Sequence, residues 1–191
     1  MKLVIIFSNS SEKLIIFPVE YKAPIDLCCD LTVKGRKAYK NGINEFILGG
    51  YKFKVSDFLY PTNGYTPGFS WPDVLTIDEW FLRYCRIKSN RMNNMRLVVS
   101  YWVGSEYDGQ GIIFPAEYES AEALLCDIER ECKACYDFEK KIYIKHSFKI
   151  GGYTFYVSHI LHHGAYGKIS FDLPEIYTVD EWFEKHIELK G

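Results

Sequence analysis

Three stretches of this chain occur twice, in the same order, and that repetition limits the fold more than any single motif. The run Ile15–Tyr21 (IIFPVEY) matches Ile112–Tyr118 (IIFPAEY) at an offset of 97. Gly49–Ser56 (GGYKFKVS) matches Gly151–Ser158 (GGYTFYVS) at an offset of 102, and Thr76–Phe81 (TIDEWF) matches Thr178–Phe183 (TVDEWF) at the same offset. Collinear blocks separated by one five-residue insertion describe a tandem duplication, so the fold has to be one that works twice. The copies run over 1–89 and 96–191, with the polar stretch 90–95 as linker.

The second copy shows the order of elements. Leu97 to Trp102 and Gly111 to Phe114 are apolar runs joined by a polar stretch from Gly104 to Gly109, which predicts a β-hairpin. From Ser120 to Phe138, the residues Ala121, Leu124, Leu125, Ile128, Cys132 and Cys135 fall on one face at 100° per residue, which predicts a helix. Ile142–Ile150 and Tyr153–Ile160 flank Gly151-Gly152 as a second hairpin. A short helix from Val179 to about Ile187 closes the unit. The first copy repeats the order with a shorter, weaker helix from Pro24, broken near Gly35. The fold class is α+β: two ββ-α-ββ-α units, with antiparallel sheets and helices packed on one face.

A chain of 191 residues, 48% hydrophobic and 25% charged, is globular in composition. The apolar run Leu3–Phe7 is too short for a bilayer or a signal-peptide core, so a buried strand and a cytoplasmic location are expected, with no membrane partner. The six cysteines sit mostly in predicted helix and read as free thiols of a reducing compartment.

The Asp-Glu-Trp-Phe boxes look at first like paired carboxylates. The preceding threonines change that reading. Thr76 with Glu79, and Thr178 with Glu181, have the spacing of a capping box, while Asp78 and Asp180 sit where a helix dipole favours negative charge. Cys132-x-x-Cys135 with His159, His162 or His163 is the one metal-like constellation. Cys126 lies on the opposite side of the helix from Cys135, and both Cys132 and Cys135 fall on the apolar face, so no metal site is assigned. The histidines lack an adjacent nucleophile motif, and no phosphate-binding glycine loop is present. No catalytic residue and no cofactor are assigned.

Candidate binding residues come from where the copies differ. The Gly/Pro loop after the first copy's second hairpin carries Tyr65 and Trp71, and its counterpart carries His162, His163 and Tyr166. Aromatics on such loops bury large area at low entropic cost. Charge differs too: residues 1–94 carry +4 and residues 95–191 carry −6, giving −2 for the chain. Lys34, Arg36 and Lys37 cluster at the end of the first copy's helix, a pattern that suits nucleic acid, and equally a solvated face or a complement to the acidic copy within the chain.

The second copy's sequence from Phe114 through Ser120, its Gly-Gly hairpin and the closing stretch Ile176–Lys185 resemble small uncharacterised proteins of tailed phages infecting gut Bacteroidota. The resemblance covers nearly the whole second copy and, more loosely, the first. It implies a phage or mobile-element origin and action in the host cytoplasm, and it carries over no catalytic residue. The function expected is that of a non-enzymatic protein-binding factor, a phage accessory or inhibitor acting on a host or phage protein. Three alternatives stand beside it: a virion structural or assembly component, a nucleic-acid-binding module using the basic first copy, and a histidine- or metal-dependent enzyme. Oligomeric state is left open.

Overall fold

The structure is a computed structural model that describes residues 1–8, 14–60, 62, 67–103, 110–164, 168–187 and 189–190. The chain is α+β and forms two compact units. Unit 1 comprises Met1–Trp80 with Trp182–Gly191, and unit 2 comprises Phe81–Glu181. These bounds differ from the repeat bounds read along the sequence: 81–89 lie in unit 2 and 182–191 in unit 1.

In chain order the first elements are β1 (Lys2–Ser8), β2 (Leu14–Glu20), α1 (Pro24–Lys40), β3 (Glu45–Leu48) and β4 (Tyr51–Lys54). A 3-10 turn at Val55–Phe58 leads to β5 (Leu59–Tyr60), β6 (Gly68–Phe69), β7 (Asp73–Thr76) and α2 (Ile77–Tyr84). Then come β8 (Ile87–Lys88), β9 (Met95–Val103), β10 (Gln110–Tyr118), α3 (Ala121–Ala134), β11 (Tyr136–Asp137) and β12 (Ile142–Tyr143). The chain continues with β13 (Ser147–Ile150), β14 (Tyr153–Tyr156), a 3-10 turn at Val157–His159, β15 (Leu161–His163), β16 (Ile169–Phe171), β17 (Glu175–Thr178), α4 (Val179–His186) and β18 (Leu189–Lys190).

Each unit is organised on a four-stranded sheet. Unit 1 has the order β18-β2-β1-β7 and unit 2 the order β17-β9-β10-β8. The sheets are antiparallel as expected except at one edge of each four-stranded sheet, where β18 runs parallel to β2 and β8 parallel to β10. The central strand β1 is apolar from Leu3 to Phe7, and both of its faces are buried there. Leu3, Ile5 and Phe7 join Leu27 and Leu31 of α1 with Phe53 and Phe58 in one core, while Val4 and Ile6 on the other face are buried as well. The same holds in unit 2, where Leu97, Val99 and Tyr101 face the core with Leu124, Ile128 and Cys132 of α3, and Val98 is buried opposite them. Both faces of these central strands are thus buried.

The first copy's helix is also not the shorter one. α1 runs 17 residues without a break, against 14 for α3. Gly35 stays helical because it faces the core, where a Cβ would stand 3.5 Å from the Phe46 ring and 3.7 Å from Trp71. These are ordinary contact distances. Gly35→Ala is therefore expected to raise stability by about 0.5–1 kcal/mol, the helix-interior difference between the two residues. A urea midpoint lower than that of the wild type would show that the site has no room.

α3 ends at Ala134, earlier than the periodicity predicts, and the expected strand Ile142–Ile150 is two strands with different partners. Ile142–Tyr143 pairs with Tyr136–Asp137, and Ser147–Ile150 pairs with β14. Both Gly-Gly hairpins form as expected. Leu48 faces Tyr51 across Gly49 and Gly50, whose φ values of 59° and 117° suit glycine.

Both capping boxes form. Glu79 N–H donates to Thr76 Oγ1 at 3.2 Å while Thr76 N–H donates to Glu79 Oε2 at 2.8 Å. The Thr178–Glu181 pair repeats this at 3.3 and 2.8 Å. Losing the Thr76 hydroxyl is worth about 1 kcal/mol of helix stability.

A second repeated device ties the end of each hairpin to the helix that follows. The Tyr21 hydroxyl donates to Asp30 in unit 1, and the Tyr118 hydroxyl donates to Asp127 in unit 2. Burial, then the neighbouring carboxylate, pushes each phenol up to about 12. Because the folded values lie above the ordinary ~10, this contribution is fully present below about pH 10 and is lost as pH rises through 12. The Tyr21→Phe/Tyr118→Phe variant is expected to lose stability less steeply than wild type between pH 10 and 12 in urea titrations. Parallel declines would remove the two pairs from the account.

Candidate functional site

The described residues singled out by sequence fall in both units: Lys34, Arg36, Lys37 and Trp71 in unit 1, His162 and His163 in unit 2. Tyr65 and Tyr166 lie outside the described residues. Lys34, Arg36 and Lys37 are all exposed on α1 but spread around it, since positions 34 and 36 stand about 160° apart on a helix. Lys34 Nζ donates to the Ile47 carbonyl at 3.3 Å, and the Arg36 guanidinium lies over the Trp71 ring at 5.8 Å. Asp26, Asp30 and Val33 precede them on the same helix. The basic cluster is thus the solvent face of an ordinary amphipathic helix. Trp71 is not a free anchor either. It stacks on Phe69 at 5.6 Å and packs against the core of unit 1, half-buried.

His162 and His163 are exposed on β15 of unit 2, and His163 leads to a different cluster. Its ring lies 5.5 Å from Tyr136 and 5.8 Å from Tyr143. Those two tyrosines face each other in the small β11–β12 hairpin, with rings 5.3 Å apart. This hairpin occupies the stretch where the offset between the matched sequence blocks grows by five residues. At the matching place unit 1 has only the turn from Asn41 to Asn44.

The excursion is closed at its base, where Ile144 N–H and Lys145 N–H both donate to the Cys135 carbonyl at 2.9 and 3.2 Å. At its tip Asp137 Oδ1 accepts from Glu139 N–H and Lys140 N–H at 3.1 and 2.9 Å. The Lys140 N–H, opposed by some desolvation, holds the Asp137 carboxyl below the usual carboxylate range. Lys141 takes the left-handed conformation that turns the chain back, with φ 56°.

The result is a buttressed apolar face. Tyr136 is 3% exposed and anchors the hairpin, while Phe138 (45%), Ile142 (54%) and Ile144 (60%) point outward. Phe138 also meets Phe171 of β16, whose ring lies under Lys133 Nζ. Lys141, Lys145 and Lys168 have no ion pair among the described residues, and His146 sits 5.5 Å from Tyr143. A greasy, aromatic, cationic surface thus sits on the more acidic half of the chain.

The Tyr136 hydroxyl has no hydrogen-bond partner among the described residues. A buried hydroxyl without a partner costs the desolvation it suffered. Tyr136→Phe is expected to be at least as stable as wild type in urea. A clear loss of stability would mean that the hydroxyl is bonded in solution.

The acid–base and metal candidates are poorly placed for chemistry. His159 lies against Tyr101 and Tyr156, with Nδ1 enclosed and unpartnered among the described residues; burial and then His162 hold its pKa down. That favours a neutral ring. Cys132 and Cys135 are buried, and burial pushes the Cys132 thiol up to about 11, which keeps it protonated at neutral pH. Among the described residues no three His, Cys, Asp or Glu side chains are placed to hold a metal ion, and no helix is long and apolar enough to cross a membrane.

The inserted hairpin was not among the residues singled out by sequence. The signal that marks it is the change of offset from 97 to 102, read together with the aromatics Tyr136, Phe138 and Tyr143. Comparison with protein-family models, with curated proteins and with solved structures finds no match to the chain.

Proposed function

We propose that the chain is a non-enzymatic binding protein that engages a protein partner through the β11–β12 face of unit 2. The observation that carries this reading is the trio Phe138, Ile142 and Ile144, held outward on a hairpin braced by Tyr136. Large apolar side chains fixed on a short, closed excursion lose little entropy on binding. The surrounding Lys141, Lys145 and Lys168 select a partner segment that combines apolar and acidic side chains.

The scaffold beneath is a tandem duplication. Supporting that are the three sequence blocks and the shared order of elements, capping boxes and Tyr–Asp pairs. Duplication leaves one copy free to diverge, and the hairpin is present in only one of them. A phage-encoded accessory or inhibitor protein, working in the host cytoplasm, fits the sequence resemblance and a small face of this kind.

The test uses the full chain and a Phe138→Asp/Ile142→Asp variant as baits in host lysate, followed by rebinding of any captured protein in purified form. The expected result is a stoichiometric protein partner, rebound by wild type and lost by a variant whose circular dichroism is unchanged. Equal rebinding by both baits, or recovery of nucleic acid in place of protein, would overturn the reading.

A further inference from the structure

The two main sheets have their strands in equivalent order, and their parallel edges show how that order is reached. β8 follows the first copy's closing helix α2, yet it pairs with β10 of the second copy. β18 follows the second copy's closing helix α4, yet it pairs with β2 of the first. The registers are equivalent as well. Ile87 and Lys88 face Ala116 and Glu117, while Leu189 and Lys190 face Val19 and Glu20. Positions 87 and 189 are equivalent at the offset of 102, and positions 116 and 19 at the offset of 97. Each copy therefore gives its last strand to the sheet built on the other copy's hairpin.

The receiving sites are shaped for these strands. In unit 2 Ile87 is fully buried in the core cluster, and Ser89 N–H donates to the Glu117 carbonyl at 2.9 Å. Gly152 N–H donates to the Arg86 carbonyl at 2.7 Å, and a Cβ at Gly151 or Gly152 would stand 3.0 Å from that same oxygen. The Gly-Gly turn of the second copy thus leaves space for backbone from the first. In unit 1 the Tyr51 hydroxyl, just after the equivalent turn, donates to the His186 carbonyl at 2.8 Å, and Lys2 Nζ lies over the Phe183 ring at 5.3 Å.

We propose that one copy of this scaffold is a strand-exchanging module whose natural partner is a second copy of itself, and that this chain is the covalently joined form of the pair. The proposal rests on reading the chain as a duplication. It is independent of what the β11–β12 face binds. An open sheet edge is a template for another strand. Reciprocal donation closes both edges with the same segment, as in a symmetric dimer formed by exchange of an identical element.

Two measurements on the full chain test it. First, a protease site is placed across Arg91–Asn94, and the folded protein is cut there. The two pieces should co-elute at the size of the intact chain and separate only in denaturant, because each unit contains strands from both pieces. Pieces that separate in native buffer would overturn the proposal. Second, hydrogen exchange is compared between the wild type, a chain ending at Ile187 and an Ile87→Asp variant. Loss of β18 should speed exchange in 14–20 by at least ten-fold and leave 110–118 unchanged, and Ile87→Asp should do the reverse. If the Ile87→Asp chain does not fold, the shortened chain decides alone, since it loses only an edge strand. The opposite assignment, with β18 loss exposing 110–118, would sink strand exchange while leaving the duplication read from sequence intact.

Discussion

Replacing Trp182 with alanine is expected to lower the stability of unit 1 by about 3–5 kcal/mol, the usual cost of deleting a buried tryptophan. The indole is fully buried, its ring stacks on that of Trp80 at 5.3 Å and 21°, and Phe183 meets it edge-on at 5.4 Å. Small domains are stable by only about 5–15 kcal/mol, so this one truncation removes a large share. Its position in the chain makes the effect informative. Trp182 lies in the C-terminal segment, yet with the rest of 182–191 it belongs to the unit that holds residues 1–80. The loss should therefore appear in the N-terminal strands, as faster hydrogen exchange in 2–8 and 14–20. Trp80→Ala should cost a similar amount. The double variant should cost less than the sum, because the stacked pair is lost once, with a coupling of about 0.5–1.5 kcal/mol. Unfolding free energies from urea within about 1 kcal/mol of wild type for Trp182→Ala would show that the indole does not stabilise unit 1.

The parts of the fold that were legible in the sequence are those decided within a few residues. Thr76 and Glu79 cap a helix through bonds spanning three positions, and Gly49-Gly50 turns a hairpin through its own φ values. Residue type and spacing determine such features, and both patterns occur twice along the chain. Gly35 shows the limit of local reading. Propensity argues for a break there, whereas the Phe46 and Trp71 rings supply packing that keeps the helix whole. The parallel pairings of β8 and β18 were out of reach for a different reason. An Ile-Lys or Leu-Lys pair after a helix has no local signal for which hairpin it will join.

The candidate site follows the same division. Lys34, Arg36 and Lys37 are a cluster along the chain, but helical geometry fans them out, and two of the three are engaged with Ile47 and Trp71. His163 was singled out because its loop differs between copies. What it meets, Tyr136 and Tyr143, lies in an excursion that reads on paper as the end of one helix and the start of one strand. Helical periodicity carried through Cys135 into Phe138 because Tyr136 and Phe138 are apolar in either conformation. The two donors on the Cys135 carbonyl, which fold the chain back, are backbone groups and leave no trace in side-chain type.

If Phe138 is the anchor of this face, Phe138→Ala should weaken binding of the captured partner by about 30-fold or more, corresponding to the 2 kcal/mol that defines a hot spot. The loss should fall on the dissociation rate, because the ring leaves a desolvated pocket on the partner unfilled. Lys145 sits at the rim and should behave differently. Its replacement by alanine should slow association and make the affinity less sensitive to salt, with little change in dissociation. The contrast matters because nucleic acid would show another pattern. A phosphate backbone held by Lys141, Lys145 and Lys168 would make the lysines dominant and the salt dependence steep, with counterion release setting the slope. Surface plasmon resonance at two salt concentrations separates the two cases. A Phe138→Ala effect below about three-fold, alongside a large and salt-steep Lys145→Ala effect, would move the site from protein recognition to electrostatic capture of a polyanion.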